Sequence, residues 1–392
     1  MSWSLFALRA LPLAFASLLL LLPAAAQQSD PAREGAAAAP AGDPSDAELQ
    51  AFYDERLRNA SPEIKERLAK IEARRVPNMT FRMGYTTALD RTLEELTGAK
   101  PPPDPEVLKE QKERADEVMA RYRKLREAQR LPAPGAACNP AAKAFTWRNA
   151  NIVTPIKDQG SCGSCWAFSA AAAYESSYLS VNSKASDVSE QDLLDCAPEA
   201  NCLGNWVENA FDHMIAAGSA AERTRPYRGQ QDQCQANLQR PYRAFVWAPL
   251  DEDWSRVMSP EEIKTGLCNH GPLVAHIHAT PSFLAYTSGV YSGIEPVTHE
   301  SEGYHAIVIT GWDDNKQAWE IKNSWGTGWG IRGFGKVQYG ANLIGHHLLA
   351  VLADQEALGR EALDSLRQAA SAKSNDAPSS SVPEDGQPGD AE

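Results

Sequence analysis

Gln159-Gly160-Ser161-Cys162-Gly163-Ser164-Cys165-Trp166-Ala167-Phe168 sets a thiol at the first turn of an apolar helix. Free N–H groups and the helix dipole at such an end favour a thiolate and pull a cysteine pKa down from about 8.5. Downstream of Cys165, the run Ala170-Ala171-Ala172-Ala173-Tyr174 keeps the helix small and packable to about Val181. Far along the chain, His305 opens Ala306-Ile307-Val308-Ile309-Thr310, a short β-branched run that reads as a buried strand. Asn323 follows within Lys322-Asn323-Ser324-Trp325-Gly326. A thiol, an imidazole and an amide are the parts of a nucleophile, its base and the group that orients the base. Each has a plainer reading: Gln159 as a turn residue, His305 as a structural histidine, and Trp325 and Trp329 as core aromatics of a Gly-rich hairpin. Cys162-Gly163-Ser164-Cys165 is also formally a C-x-x-C redox motif. That reading leaves Gln159, His305 and Asn323 without a role.

Taken together, these segments resemble the papain and cathepsin family of cysteine proteases. His305 lies 140 residues after Cys165, within the separation of about 130 to 150 usual there, and Asn323 lies 158 after it, which implies a loop insertion. The resemblance implies an α+β fold of two lobes, a mainly helical one over about 145–250 and an antiparallel β-barrel-like one over about 251–353, with the site in the cleft between them. It implies a thiolate and imidazolium pair of Cys165 and His305, with Asn323 accepting the other ring N–H and Trp325 shielding that bond. Gln159 and the Cys165 N–H would stabilise the oxyanion. Gly204, Asn205, Trp325, His276, Tyr304 and Ala306 would contact substrate. Asn205 stands where the family has a second glycine; Asn tolerates a positive φ, and its side chain would either project near the pocket for the second residue upstream of the scissile bond or turn to solvent. The stretch between Cys202 and Cys234 is too short for an occluding loop of the cathepsin B type, which favours endopeptidase action. A catalytically inactive peptide-binding module on the same fold is the alternative. By the same resemblance Cys162 would pair with Cys202 and Cys196 with Cys234. The family's bridge in the second lobe has no matching cysteines, and Cys138 and Cys268 are left over; as leftovers in an exported chain they are expected to bond each other, leaving Cys165 free.

Outward from this core, the 392 residues are 43% hydrophobic and carry a formal net charge of −13, which excludes the basic footprint of a nucleic-acid binder. Arg9, the apolar run 11–22 and Pro23-Ala24-Ala25-Ala26 read as a secretory signal over 1–26, too short to span a bilayer as a stable insertion. Residues 27–134 hold an Ala/Pro-rich spacer and charged amphipathic stretches at 46–75 and 105–130, in the place of a family proregion that would occupy the cleft as an intramolecular inhibitor. Leu131-Pro132-Ala133-Pro134-Gly135-Ala136 has the composition of an exposed linker and of an activation site. The peptidase domain would be 135–353 and the acidic tail 354–392 disordered, apart from a short helical piece near 358–366. His276 and His278 alternate on one strand and His346-His347 come later, without a third ligand at recognisable spacing, so no metal site and no cofactor are expected. The expected partners are peptide or protein substrates and the proregion, for a monomer in a secreted, periplasmic or lysosome-like compartment.

Overall fold

A computed structural model describes residues 42–101, 104–129, 138–253 and 256–371. The expected signal segment 1–26, the linker 131–136 and the tail beyond 371 lie outside these residues.

The N-terminal segment is helical, as expected, and its helices start where the sequence supplies caps. α1 (Asp46–Asn59) begins at Ser45, whose hydroxyl accepts from the Glu48 N–H while Glu48 reaches back to Ser45. α2 (Pro62–Glu72) begins at a second cap, Ser61, with Pro62 in its first turn. That Ser-Pro pair divides the stretch 46–75 into two helices. A short strand, β1 (Phe81–Met83), and a single turn, α3 (Leu93–Leu96), held by a Thr92–Glu95 capping box, lead to the long α4 (Pro105–Ala128), capped by Asp104.

β2 (Ala144–Thr146) precedes the helical lobe of α5 (Cys165–Asn182), α6 (Glu190–Cys196) and α7 (Val207–Ala216). α5 is buried from Cys165 through Tyr178, which is why its surface is nearly all Ala, Ser and aromatic. Then come β3 (Ala244–Pro249), α8 (Pro260–His270), β4 (Leu273–His278), α9 (Pro281–Leu284), β5 (Tyr286–Gly289), β6 (Tyr304–Asp313), β7 (Ala318–Lys322), β8 (Phe334–Gln338), β9 (Leu348–Ala353) and α10 (Arg360–Ser371). An antiparallel seven-stranded sheet runs β3-β9-β4-β6-β7-β8, with β2 added on β6. β1 pairs with β5, so the N-terminal segment extends the second lobe by backbone hydrogen bonds. The chain is α+β, with one core around α5 and another under the sheet. β6 serves both: Tyr304 and Ala306 join the first, Ile307 and Ile309 the second.

Three expectations need correction. The helical lobe does not begin at 145: Phe145 packs against Trp147 and Trp312 at 4.8 and 5.2 Å, and Trp147 Nε1 donates to Leu267 O at 3.2 Å, so the chain first crosses the sheet lobe, where its aromatics find cover. Nor does that lobe keep residues up to 250, because β3 hydrogen-bonds to β9. The helical piece expected near 358–366 is present and longer than expected, so the stretch 354–371 is ordered and not part of a disordered tail. α10 runs to Ser371 because Leu366 and its partly buried neighbours Ala362 and Leu363 have β3 and α4 to pack on. The three disulfides are Cys138–Cys268, Cys162–Cys202 and Cys196–Cys234.

Candidate active site

Cys165 opens α5 and is the free cysteine among the described residues, fully buried. Because Cys162 is bonded to Cys202, the C-x-x-C pair cannot close on itself. β6 brings His305 alongside, since the N–H of Ala306, the next residue, points at the Cys165 sulfur. His305 Nε2 lies 2.8 Å from Asn323 Oδ1. A carbonyl oxygen only accepts, so Nε2 carries the hydrogen and Nδ1, which makes no hydrogen bond, is the ring's basic nitrogen. Trp325 stacks on the imidazole at 4.5 Å and 26° and is fully buried, which excludes water from that bond. Gln159 is fixed from both ends: its N–H donates to Ser324 O at 2.9 Å, and its Oε1 accepts from Ser324 Oγ at 2.7 Å. Its Nε2 is thereby aimed into the cleft.

The cleft is filled by the chain following α3. Leu96 O accepts from Gln159 Nε2 at 3.1 Å and from Trp325 Nε1 at 3.3 Å. Gly98 N and Ala99 N each donate to Tyr304 O at 3.2 Å, Asn205 N donates to Gly98 O at 2.8 Å, and Lys100 N to Asn205 O at 3.0 Å. A Cβ on Gly98 would sit 2.0 Å from Gly163 O, so only glycine lets the two backbones come this close. The strap is clamped at its flanks by Arg91 with Asp158, at 2.8 Å, and by Lys100, which lies 3.9 Å over the Trp206 ring and 3.3 Å from Glu199. Asp90, the residue before Arg91, pairs instead with Arg56 of α1 at 3.9 Å.

The expected low thiol pKa is reversed in this covered state. Burial pushes the Cys165 thiol up to about 11, although the N–H groups of Ala306, Gly98, Ala99 and Trp166 pull it down. Burial also pushes the His305 imidazole down to about 4, against the pull of Asn323. With water excluded by the strap, both groups are neutral. The sulfur also faces the N–H groups of Gly98 and Ala99 in the strap.

Of the expected substrate residues, Asn205 meets the strap through its backbone, and Gly204, with φ +126°, packs so closely on it that a Cβ would sit 2.5 Å from Gly98 O. Asn205 departs from expectation. It is not among the residues with positive φ, and its side chain turns into its own loop, donating to Pro198 O at 2.8 Å and accepting from Trp206 N at 2.9 Å. Tyr304 offers its carbonyl, Ala306 its N–H, and Trp325 its indole N–H. His276 lies behind Tyr304, 5.1 Å between rings, in a buried cluster with His278, His346 and His347. No group of three or more His, Cys, Asp or Glu is placed to hold a metal ion among the described residues. Sequence reading missed the strap residues themselves; the signal was Leu96-Thr97-Gly98, set between a capping box and a proline run.

Residues 141–352 match the family model described as papain family cysteine protease. The chain belongs to the papain family. It is 30% identical over 285 residues to pro-cathepsin H of Bos taurus, spanning 71% of this chain and 78% of that protein. It is 33% identical over 206 residues to the thiol protease aleurain of Arabidopsis thaliana, spanning 51% of this chain and 56% of that protein. Among solved structures it resembles procathepsin L2 of the Tenebrio molitor larval midgut (TM-score 0.56, 27% identity, 80% of this chain and 96% of that one). The ragweed protease Amb a 11 in its proform is similar (TM-score 0.56, 25% identity, 79% and 95%). Both matches extend beyond the catalytic domain into the N-terminal segment. This papain-family member is a cysteine-type peptidase.

Proposed function

We propose that the chain is an exported endopeptidase made as a zymogen, with Cys165 as nucleophile. Once the strap leaves, water reaches the cleft and the thiol proton passes to His305 Nδ1. The thiolate attacks the peptide carbonyl carbon, and Gln159 Nε2 with the Cys165 N–H holds the oxyanion. His305 then protonates the leaving amine, and water attacks the thioester carbonyl to release the acid and restore the thiol. Asn323 keeps Nε2–H occupied, so that Nδ1 is the nitrogen that works. The observation that carries this reading is Leu96 O, a backbone carbonyl seated on Gln159 Nε2 where the oxyanion of a substrate would form. No metal or cofactor enters. The substrate is an extended stretch of peptide, bound as backbone along Asn205 and Tyr304.

The test is hydrolysis of a fluorogenic peptide by purified full-length chain, before and after acid treatment with a thiol reductant. Activity is expected only after treatment, and Cys165→Ala is expected to have none while retaining its N-terminal segment. Turnover by Cys165→Ala, or full activity of His305→Ala, refutes the assignment.

A further inference from the structure

α4 follows the strap, yet its packing is that of a core helix. Leu108, Ala115 and Val118 are fully buried and Tyr122 nearly so; with the buried Gln111 between the first two, they recur on one face at alternating spacings of three and four. Gln111 lies on the same face and donates from Nε2 to Trp247 O at 2.7 Å. β3 is the terminal strand of the sheet, so this amide occupies a carbonyl that would otherwise stand on an open edge. Tyr122 OH donates to Gln355 Oε1 at 2.8 Å, and Gln129 Nε2 to Leu358 O at 3.4 Å. α10 closes the far side. Leu366 and Leu358 share one cluster with Ala115, Val118 and Tyr122 of α4, Phe245 and Val246 of β3, and Leu352 of β9. Arg367 pairs with Asp354 and lies 5.8 Å over the Phe245 ring. α4 therefore lies between a catalytic-domain strand and a helix that follows the catalytic domain in sequence.

We propose that α4 is a permanent part of the working enzyme: the cut that frees the cleft falls upstream of it, and residues 105–128 stay seated between β3 and α10. The segment before it occludes the cleft and must leave, whereas α4 covers surface that the catalytic domain and α10 cannot hide by themselves. Removing α4 would expose Phe245, Val246 and Leu352 together and strand the apolar face of α10. The disulfide Cys138–Cys268 ties the chain downstream of α4 to α8, so a cut upstream of α4 leaves the helix on a covalently anchored chain.

This inference rests on the zymogen reading for what activation means, but its test can be separated from that reading. In full-length Cys165→Ala, where self-processing is absent, limited digestion by an added protease at acidic pH is expected to remove residues 42–101 and leave 105–128 in the protected core, as read by mass spectrometry. Release of 105–128 together with the rest overturns the proposal. In the activated wild-type enzyme, labelling with an epoxide-bearing peptide that reacts with thiols and capture of the labelled species are expected to bring down 105–128, whether continuous with the chain or bound to it. A labelled species that begins after residue 128 and lacks that peptide overturns it. Val118→Ala gives a second reading: a Tm lower by several degrees in the activated enzyme. An unchanged Tm would mean that α4 is no longer there.

Discussion

Asn205 has two separate tasks, and they predict different outcomes for its replacement. Its backbone pairs with the strap, while its own buried amide holds Pro198 O of the preceding loop and Trp206 N, and accepts from Asn209 Nδ2 of α7 at 2.9 Å. Asn205→Gly is expected to cost about 1–3 kcal/mol in urea unfolding, since three partly buried hydrogen bonds are lost. A peptide library should show the same preference at the second subsite for variant and wild type. Broadened selectivity would put the side chain in the pocket after all. The identity and importance of this position were legible in the sequence, but the direction of its side chain was not, because Pro198 and Asn209 carry no mark of being its partners. His305 and Asn323 were legible for the opposite reason: a basic nitrogen and the amide that fixes its tautomer are each identified by chemical type.

At the scale of elements, β4, the loop before β6 and the turn before β9 bring together five of the eight histidines: His276, His278, His299, His346 and His347. They stand behind Tyr304, whose carbonyl holds the strap. His346 Nδ1 donates to Leu343 O at 2.6 Å, which leaves Nε2 as acceptor for the Tyr304 hydroxyl. His347 Nε2 lies 2.9 Å from Glu208 Oε1. Burial pushes the His346 imidazole from 6.5 down to about 3, and burial with neighbouring His347 and His346 pushes His276 well below its ordinary value. A folded pKa below the unfolded one means that the unfolded chain takes up the proton first. The stability held above about pH 6.5 is thus lost as pH falls toward 3, up to about 3 kcal/mol from His346 by pH 4.5. Denaturant unfolding of the Cys165→Ala chain at pH 7 and 4.5 should show this loss, and His346→Gln should reduce it; an equal loss in both would place the titration elsewhere. The cluster could not be read from sequence because its members come from separate segments and only β4 displays alternation. β6 and α5 were legible from their apolar runs, and α1 and α3 had visible capping boxes. Three-residue β2 has no periodicity to read.

Across the whole molecule, Asp43 fastens the beginning of the described chain to the sheet lobe. Its carboxylate meets Arg148 at 2.6 Å and Lys336 at 2.8 Å. Burial pushes this carboxyl up, but hydrogen bonds and charge from Lys336 and Arg148 outweigh it and hold it below 3.8. A depressed carboxyl gives stability above its unfolded value and loses it only as pH falls further, so this clasp persists at pH 5, where the histidines have begun to fail. Asp43→Asn is therefore expected to speed release of the N-terminal segment by a similar factor at pH 7 and pH 5, as timed by gel. An effect confined to pH 5 would contradict the sign. The bond between Cys138 and Cys268 acts at the same scale. It closes a ring in which Cys165 rides, while His305 and Asn323 lie on the chain outside it. A nick at an exposed turn within the ring, such as Ala236-Asn237, would yield two polypeptides but still one covalent molecule, since the other two bridges close within the first piece. The proposed nucleophile and base would then belong to different chains, and a reductant strong enough to open that single bridge would leave only packing to keep them together.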